Sequence, residues 1–155
     1  MDKKASLDSP RLATESDLAR IHEVVVSAYE KYLVRMDRPP APVLRDYGPH
    51  IRNGSLWVIG DPIIGLVSLT PENEYLLLQN IAVHPSFQGR GFGRMLMEFA
   101  EFRARQLRLL RIRLYTNEVM LENIGIYSHM GYIEVGRGLD EGYKRVFMEK
   151  TLSSI

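Results

Sequence analysis

The sequence predicts an α/β fold with a mixed β-sheet in a single domain, and three observations carry that expectation. Two apolar runs in hairpin arrangement precede a long, almost unbroken apolar segment, Tyr75 to Val83, of the kind that forms a central strand covered on both faces. That segment leads through a glycine-rich stretch into a helical pattern and then another strand, the crossover that parallel strands require. At 155 residues the chain has the length of one ordinary domain and is short for two separately packed ones. The expected division is a flexible segment over residues 1–9 and one domain over residues 10–155.

The elements follow in chain order. A helix opens at Thr14, where Thr14 and Asp17 form a capping box, and Leu18, Ile21, Val25, Tyr29 and Tyr32 recur at three- and four-residue spacing. It ends before Pro39 and Pro40. A weaker helix is expected from about Pro42 to Arg52, closed by Asn53 and Gly54. Leu56–Ile59 and Ile63–Leu69, separated by Gly60, Asp61 and Pro62, read as a hairpin. After the central strand, Met95 to Arg108 reads as a helix with Leu96, Phe99, Ala100, Ala104 and Leu107 near one face. Ile112 to Thr116 is a short strand, and Val119 to Met130 a helix stopped by Gly131. Strands are expected near Tyr132–Val135 and Arg145–Glu149.

Composition narrows the function classes. With 45% hydrophobic and 25% charged residues the chain is globular in character, and a formal charge of +1 supplies no general field toward nucleic acid or an anionic membrane. An anionic ligand must therefore be held by a local site, which points to a small molecule. The absence of cysteine excludes a disulfide framework, a thiolate nucleophile and a Cys-ligated zinc. His22 and His129 fall on separate helices with no second ligand at metal spacing, so no metal site is expected. The start of the chain has no apolar signal core and no later run reaches bilayer length, so the expected location is cytoplasmic.

The chemistry concentrates in the stretch from Gln88 to Arg94. A strand that passes through Gly89, Gly91 and Gly93 into a helix builds an anion site, because backbone amides converge there and the helix dipole adds positive charge. The same glycines also suit a plain strand-to-helix turn. An ATP-binding loop needs Gly-Lys-Ser/Thr, where Arg94 and Met95 stand, and the dinucleotide fingerprint needs a third glycine where Arg94 stands.

What remains is Gln88-x-x-Gly91-x-Gly93, directly after Ile81, Ala82, Val83, His84 and Pro85, and this resembles the pyrophosphate loop of the GNAT superfamily of N-acetyltransferases. Asn123, Tyr127 and Met130-Gly131-Tyr132 look like that family's second motif. The likeness spans about Leu56 to Leu152, and Thr14–Tyr32 is similar to the family's first helix. The resemblance implies a twisted mixed sheet of about seven strands, splayed in the middle, with about four helices. It implies acetyl-CoA as cosubstrate, with Ile81, Ala82 and Val83 offering backbone groups to the pantetheine arm. Gln88, Gly89, Arg90, Gly91, Phe92, Gly93 and Arg94 would wrap the pyrophosphate. By the same resemblance Tyr127 faces the sulfur and protonates the departing thiolate, while a primary amine takes the acetyl group directly in a ternary complex.

The pattern also departs from the family. Where many members carry a catalytic glutamate on the central strand, this chain has Gln79 and Asn80, leaving Glu72, Glu74, His50 and His84 as candidate bases. The family's asparagine seven residues before the tyrosine is Met120, so Asn123 or Asn117 is expected at the cofactor, Asn117 serving equally as a helix cap. Tyr29, Tyr32, Tyr47 and Trp57 suit an acceptor pocket and a core alike. Arg103, Arg105, Arg108, Arg111 and Arg113 scatter around a helix and read as a solvated face, which keeps RNA binding a minor alternative. The missing carboxylate keeps a second reading in view, a non-catalytic acyl-CoA-binding sensor or partner module. The remaining expectations are no nucleic-acid or membrane partner and a possible homodimer through an exposed terminal strand.

Overall fold

The computed structural model describes residues 9–153, so the segment expected to be flexible at residues 1–9 lies outside it except for Ser9. The strands are β1 (Arg11–Leu12), β2 (Leu56–Ile59), β3 (Gly65–Pro71), β4 (Leu76–Val83), β5 (Arg111–Asn117), β6 (Ile133–Asp140) and β7 (Tyr143–Thr151). They form a seven-stranded sheet in the order β1-β2-β3-β4-β5-β7-β6. β4 and β5 run parallel, whereas β1 with β2, β2 with β3, β5 with β7 and β6 with β7 pair antiparallel, which makes the sheet mixed. The α-helices are α1 (Leu18–Tyr29), α2 (Ala41–Leu44), α3 (Gly48–Arg52), α4 (Phe92–Gln106) and α5 (Leu121–His129). Helix α4 makes the crossover between the parallel strands.

The first helix begins where the sequence marks it. The Thr14 N–H donates to Asp17 Oδ2 at 2.8 Å, the reciprocal half of a capping box, and Arg11 anchors the same carboxylate at 2.9 Å. A 3₁₀ turn over Glu15–Asp17 leads into α1, which buries Ile21, Val24, Val25, Ala28 and Tyr29 along one stripe.

Over the stretch expected to form one helix, Pro42 to Arg52, the structure has two short helices, which gives five α-helices among the described residues. Arg45 is extended (φ −73°, ψ 142°), Asp46 Oδ1 accepts the Gly48 N–H at 3.0 Å, and Pro49 starts α3 because it cannot continue a helix from the preceding turn. Helix α4 starts at Phe92, three residues earlier than expected, because Gly93 is no barrier inside the first turn. It ends at Gln106, with Arg108 in the left-handed region (φ 60°).

The last two strands are much longer than expected. They form one hairpin turned by Glu141 (φ 52°) and Gly142 (φ 82°), a two-residue turn with both central residues left-handed. All eight residues of β6 are exposed, so the strand has no inside-outside alternation from which to read its length.

The chain divides into two compact units, one formed by the residues through Leu69 with Asn80–Ala100, the other by Thr70–Gln79 with the residues from Glu101 on. In the first, Ile21, Val24, Val25, Leu56, Val58, Leu66, Val67 and Leu96 are completely buried, and Trp57 meets Phe99 edge-on at 5.0 Å. In the second, Leu76, Leu78, Ile112, Leu114, Val146 and Met148 form the core, and β4 pairs with β5 over Leu76–Leu78 and Ile112–Leu114. No helix among the described residues is long and apolar enough to cross a membrane.

Tyr132 sits in the second unit with a buried hydroxyl that has no hydrogen-bond partner among the described residues. Burial, with Glu101 and Tyr127 nearby, pushes the phenol far above its ordinary range and keeps it neutral. An orphaned hydroxyl costs its desolvation without a compensating bond. Tyr132→Phe is therefore expected to raise stability by about 1 kcal/mol, read as a higher midpoint in urea unfolding. A destabilised variant would mean that the hydroxyl is bonded in solution.

Candidate functional site

In the first unit the end of β4, Ile81 to Val83, lies beyond the stretch of that strand paired with β5. A 3₁₀ turn over Pro85–Phe87 follows, begun by His84, whose Nδ1 accepts the Ser86 N–H at 3.1 Å. Gln88 then folds back, its Nε2 donating to Val83 O at 2.9 Å, so this side chain closes the loop onto the strand end.

Gly89 (φ 79°) and Gly91 (φ 87°) are both left-handed, and a Cβ at either would meet nothing within 4 Å. Their role is conformational, and the space over the loop is open. The N–H of Met95 bonds to Gly91 O at 3.0 Å as α4 begins, and the amides of Phe92, Gly93 and Arg94 stand ahead of it at the positive end of a 15-residue helix. Arg90 lies over the Phe87 ring at 5.3 Å, and Arg94 pairs loosely with Glu98 at 3.5 Å; both are exposed, so two cations flank the same amides. Exposed amides, a helix dipole, open space and flanking guanidinium groups make an arrangement that can hold a phosphate or pyrophosphate. All seven expected loop residues and the three strand residues are thus brought together in one unit.

Asn80 is the feature that sequence reasoning missed. It is only 3% exposed, so its amide must find partners within the protein. Tyr29 Oη donates to Asn80 Oδ1 at 2.6 Å and lies 3.2 Å from Ile81 O; Asn80 Nδ2 donates to Tyr47 Oη at 2.9 Å; Tyr47 Oη donates to Pro42 O at 2.7 Å. The chain of bonds ties the central strand to α1 and to the α2–α3 segment. The signal was a polar pair, Gln79 and Asn80, inside an apolar run. Asn80→Ala leaves two buried tyrosine hydroxyls short of a partner and is expected to cost about 2–4 kcal/mol, measured by urea unfolding. A loss below about 1 kcal/mol would show that the network contributes little.

Of the four aromatic residues that suited a pocket or a core, three are core and Trp57 is half-buried against Phe99. Tyr29, Tyr32 and Tyr47 are 8%, 2% and 1% exposed. His50 packs tilted against Tyr47 at 6.2 Å with Nδ1 3.2 Å from Ser55 Oγ, and burial together with the Arg45 charge lowers its pKa, holding it neutral.

In the second unit Tyr127 lies on α5, 8% exposed, with its ring 6.2 Å from that of Tyr132. Gly131, at φ 98°, terminates the helix between them, and a Cβ there would press on Lys150 at 3.3 Å. Asn123 sits one turn before Tyr127, its Nδ2 3.7 Å from Met120 Sδ. Asn117 acts as a local cap: its Oδ1 accepts the Val119 N–H at 3.1 Å. Glu74 is engaged by Arg111 at 2.9 Å, and Glu72 is exposed in the turn before β4. Of the arginine series, Arg103 bonds Gln106, Arg105 bonds Ser153, Arg111 pairs with Glu74 and Glu149, and Arg113 also pairs with Glu149.

A model of the acetyltransferase (GNAT) domain matches residues 52–134 of this sequence. No curated protein matches it. Among solved structures, the fold is similar to the PaiA N-acetyltransferase from Thermoplasma acidophilum in complex with coenzyme A. The TM-score is 0.76 at 18% identity, covering 92% of this chain and 98% of that one. It is also similar to a ribosomal-protein alanine N-acetyltransferase from Escherichia coli, with a TM-score of 0.73 at 16% identity and 94% of each chain covered. A chimera of the spermidine N-acetyltransferase SpeG from Vibrio cholerae and hSSAT gives a TM-score of 0.69 at 24% identity, covering 92% and 94%.

Proposed function

The chain belongs to the GNAT acetyltransferase family, and from that premise we propose that it transfers the acetyl group of acetyl-CoA to a primary amine, directly, in a ternary complex. The observation that carries this reading is the loop from Gln88 to Arg94, with two left-handed glycines opening onto the start of α4 at the end of the central strand. The residues fit the cosubstrate: the diphosphate takes the loop amides with Arg90 and Arg94 beside them, and the backbone of Ile81, Ala82 and Val83 borders the pantetheine arm. A bound coenzyme A in the Thermoplasma acidophilum protein of the same fold supports an acyl-CoA here.

In this reading the amine nitrogen attacks the thioester carbonyl, and an amide N–H of Ala82 or Val83 stabilises the oxyanion that develops. The C–S bond then breaks, and Tyr127 gives its proton to the leaving thiolate. Asn123 contributes to cofactor binding on the Tyr127 helix. The acceptor is a small molecule or peptide carrying the amine, in a cytoplasmic setting, and residues 10–155 act as one domain.

One observation favours a second reading. The central strand presents the amides Gln79 and Asn80 where a carboxylate would serve, so a module that binds acyl-CoA without turnover also suits the site. Titration calorimetry with acetyl-CoA, followed by a thiol-release assay over a panel of amines, separates the two. The expected result is micromolar binding with amine-dependent release of free thiol. Binding with no release on any amine would leave the sensor reading, and absence of binding would end both.

A further inference from the structure

Resting on the transferase reading, we propose that Tyr29 is a positioning residue for acetyl transfer, holding the free edge of β4 so that the Ile81 N–H stands ready for the thioester carbonyl.

Four contacts fix which way the backbone groups of that strand end point. The His84 N–H donates to Ile64 O at 2.8 Å, and Ala82 O lies 3.2 Å from the place of a Cβ on Gly65, so both residues face β3. Ile81 O and Val83 O face the other way, since Tyr29 Oη reaches the first at 3.2 Å and Gln88 Nε2 donates to the second at 2.9 Å. A residue in an antiparallel ladder turns its N–H and its C=O to the same neighbour, and the next residue turns both to the opposite side. The Ala82 N–H is therefore directed toward β3, while the N–H groups of Ile81 and Val83 are directed away from it. On that second side β4 pairs with β5 over Leu76–Leu78, so Ile81 and Val83 lie beyond the paired stretch.

Ala82 is thus removed as an oxyanion donor, and the strand offers Ile81 and Val83, roughly 7 Å apart along an extended chain. The loop sets their order. With the diphosphate at Gln88 to Arg94, the pantetheine arm passes Val83 first and Ile81 second. The acetyl end, farthest from the diphosphate, then meets the Ile81 N–H, and an amide carbonyl of the arm meets the Val83 N–H.

A strand edge without a neighbour lacks the ladder that would fix it, whereas an oxyanion donor contributes only when it is held in place before the charge develops. Here side chains replace the ladder. Tyr29, at the end of α1 and 8% exposed, shares its proton between Asn80 Oδ1 at 2.6 Å and Ile81 O at 3.2 Å. It thereby grips the residues on both sides of the Asn80–Ile81 peptide, the unit that carries the Ile81 N–H. Asn80 is held in turn by Tyr47 at 2.9 Å, and Gln88 does for Val83 what Tyr29 does for Ile81. With both carbonyls of this edge engaged, the edge presents donors, which suit the carbonyl oxygens of a thioester and an amide.

The test titrates the full chain with acetyl-CoA, CoA and S-ethyl-CoA, a thioether of nearly the same shape with no carbonyl on its sulfur. The parent is expected to bind acetyl-CoA about fivefold tighter than S-ethyl-CoA, the worth of one net hydrogen bond. In Tyr29→Phe that ratio should fall to within about twofold of unity, with CoA affinity inside about threefold of the parent. Its kcat, on any amine that supports thiol release, should fall at least about tenfold. Tyr47→Phe opens the other side of the network and should lower the thermal midpoint while keeping the ratio. Gln88→Leu should weaken all three ligands alike. In amide spectra of the parent, the Ile81 N–H should move downfield with acetyl-CoA and not with S-ethyl-CoA, while Ala82 stays in place.

A Tyr29→Phe variant that keeps both ratio and kcat overturns the proposal. So does one whose ratio stays while stability and kcat fall together, the pattern of a purely structural tyrosine. If that variant does not fold, the parent spectra decide: an Ala82 amide that moves with acetyl-CoA, or an Ile81 amide indifferent to the thioester carbonyl, overturns the assignment. Binding with no thiol release on any amine defeats the transferase reading instead, and is distinguishable because the ratio and the amide shifts are read without turnover.

Discussion

Replacing Gly91 by glutamate is expected to weaken acetyl-CoA binding at least 100-fold while the protein remains folded. Gly91 lies at φ 87°, where any side chain strains the backbone by about 1–2 kcal/mol, but its Cβ would meet nothing within 4 Å. The variant therefore has local strain and no clash with the rest of the protein. What changes is the space over the loop: a carboxylate would stand beside the amides of Phe92, Gly93 and Arg94, where the diphosphate is proposed to lie. A 100-fold loss corresponds to about 2.7 kcal/mol, within the ~4 kcal/mol that like charges about 4 Å apart exert near a protein surface. Calorimetry gives the affinity and thermal unfolding gives the state of the fold. Gly91→Ala separates the causes, since alanine brings the strain without the charge and is expected to lose less than tenfold. A glutamate variant that binds like the parent would remove this loop from the cofactor site.

Tyr127→Phe is expected to lower kcat about 100-fold and to leave KM for acetyl-CoA within about threefold, the pattern of a proton donor that acts at the transition state. The ring is packed against Tyr132 and 8% exposed, so phenylalanine fills the same volume and the helix should survive. A structural role for the hydroxyl would instead lower stability and move KM and kcat together. Raising the leaving-group acidity with an activated thioester should rescue the variant, because a better leaving group needs less protonation. Unchanged kcat would take Tyr127 out of the mechanism.

Local features were legible in the sequence to the degree that their causes are local. The capping box at Thr14 and Asp17, the hairpin of β2 and β3, the central strand and the stop at Gly131 each depend on a few adjacent residues. The loop from Gln88 to Arg94 was legible for the same reason: glycine alone adopts those angles without strain, and a helix start supplies its amides wherever it occurs. The errors have physical causes as well. The helix expected over Pro42–Arg52 broke at Arg45–Tyr47, where Pro49 begins a new helix and Tyr47 reaches Asn80, a partner 33 residues away that a local window does not contain. The hairpin of β6 and β7 was underestimated because β6 is exposed along its whole length, and exposure erases the alternation that marks a strand.

The sequence by itself determined the architecture, the glycine loop at the start of α4 and the family, because those follow from patterning, glycine angles and contiguous motifs. Only the tertiary structure decided what Asn80 does. Its partners lie 51 and 33 residues away, and it was the folding of α1 and the α2–α3 segment against the strand that turned a polar residue into a buried, fully engaged amide. The orphaned hydroxyl of Tyr132 belongs to the same class. A group's hydrogen-bond partners are set by which distant segments the core brings together, and the chemistry available at the end of β4 depends on them.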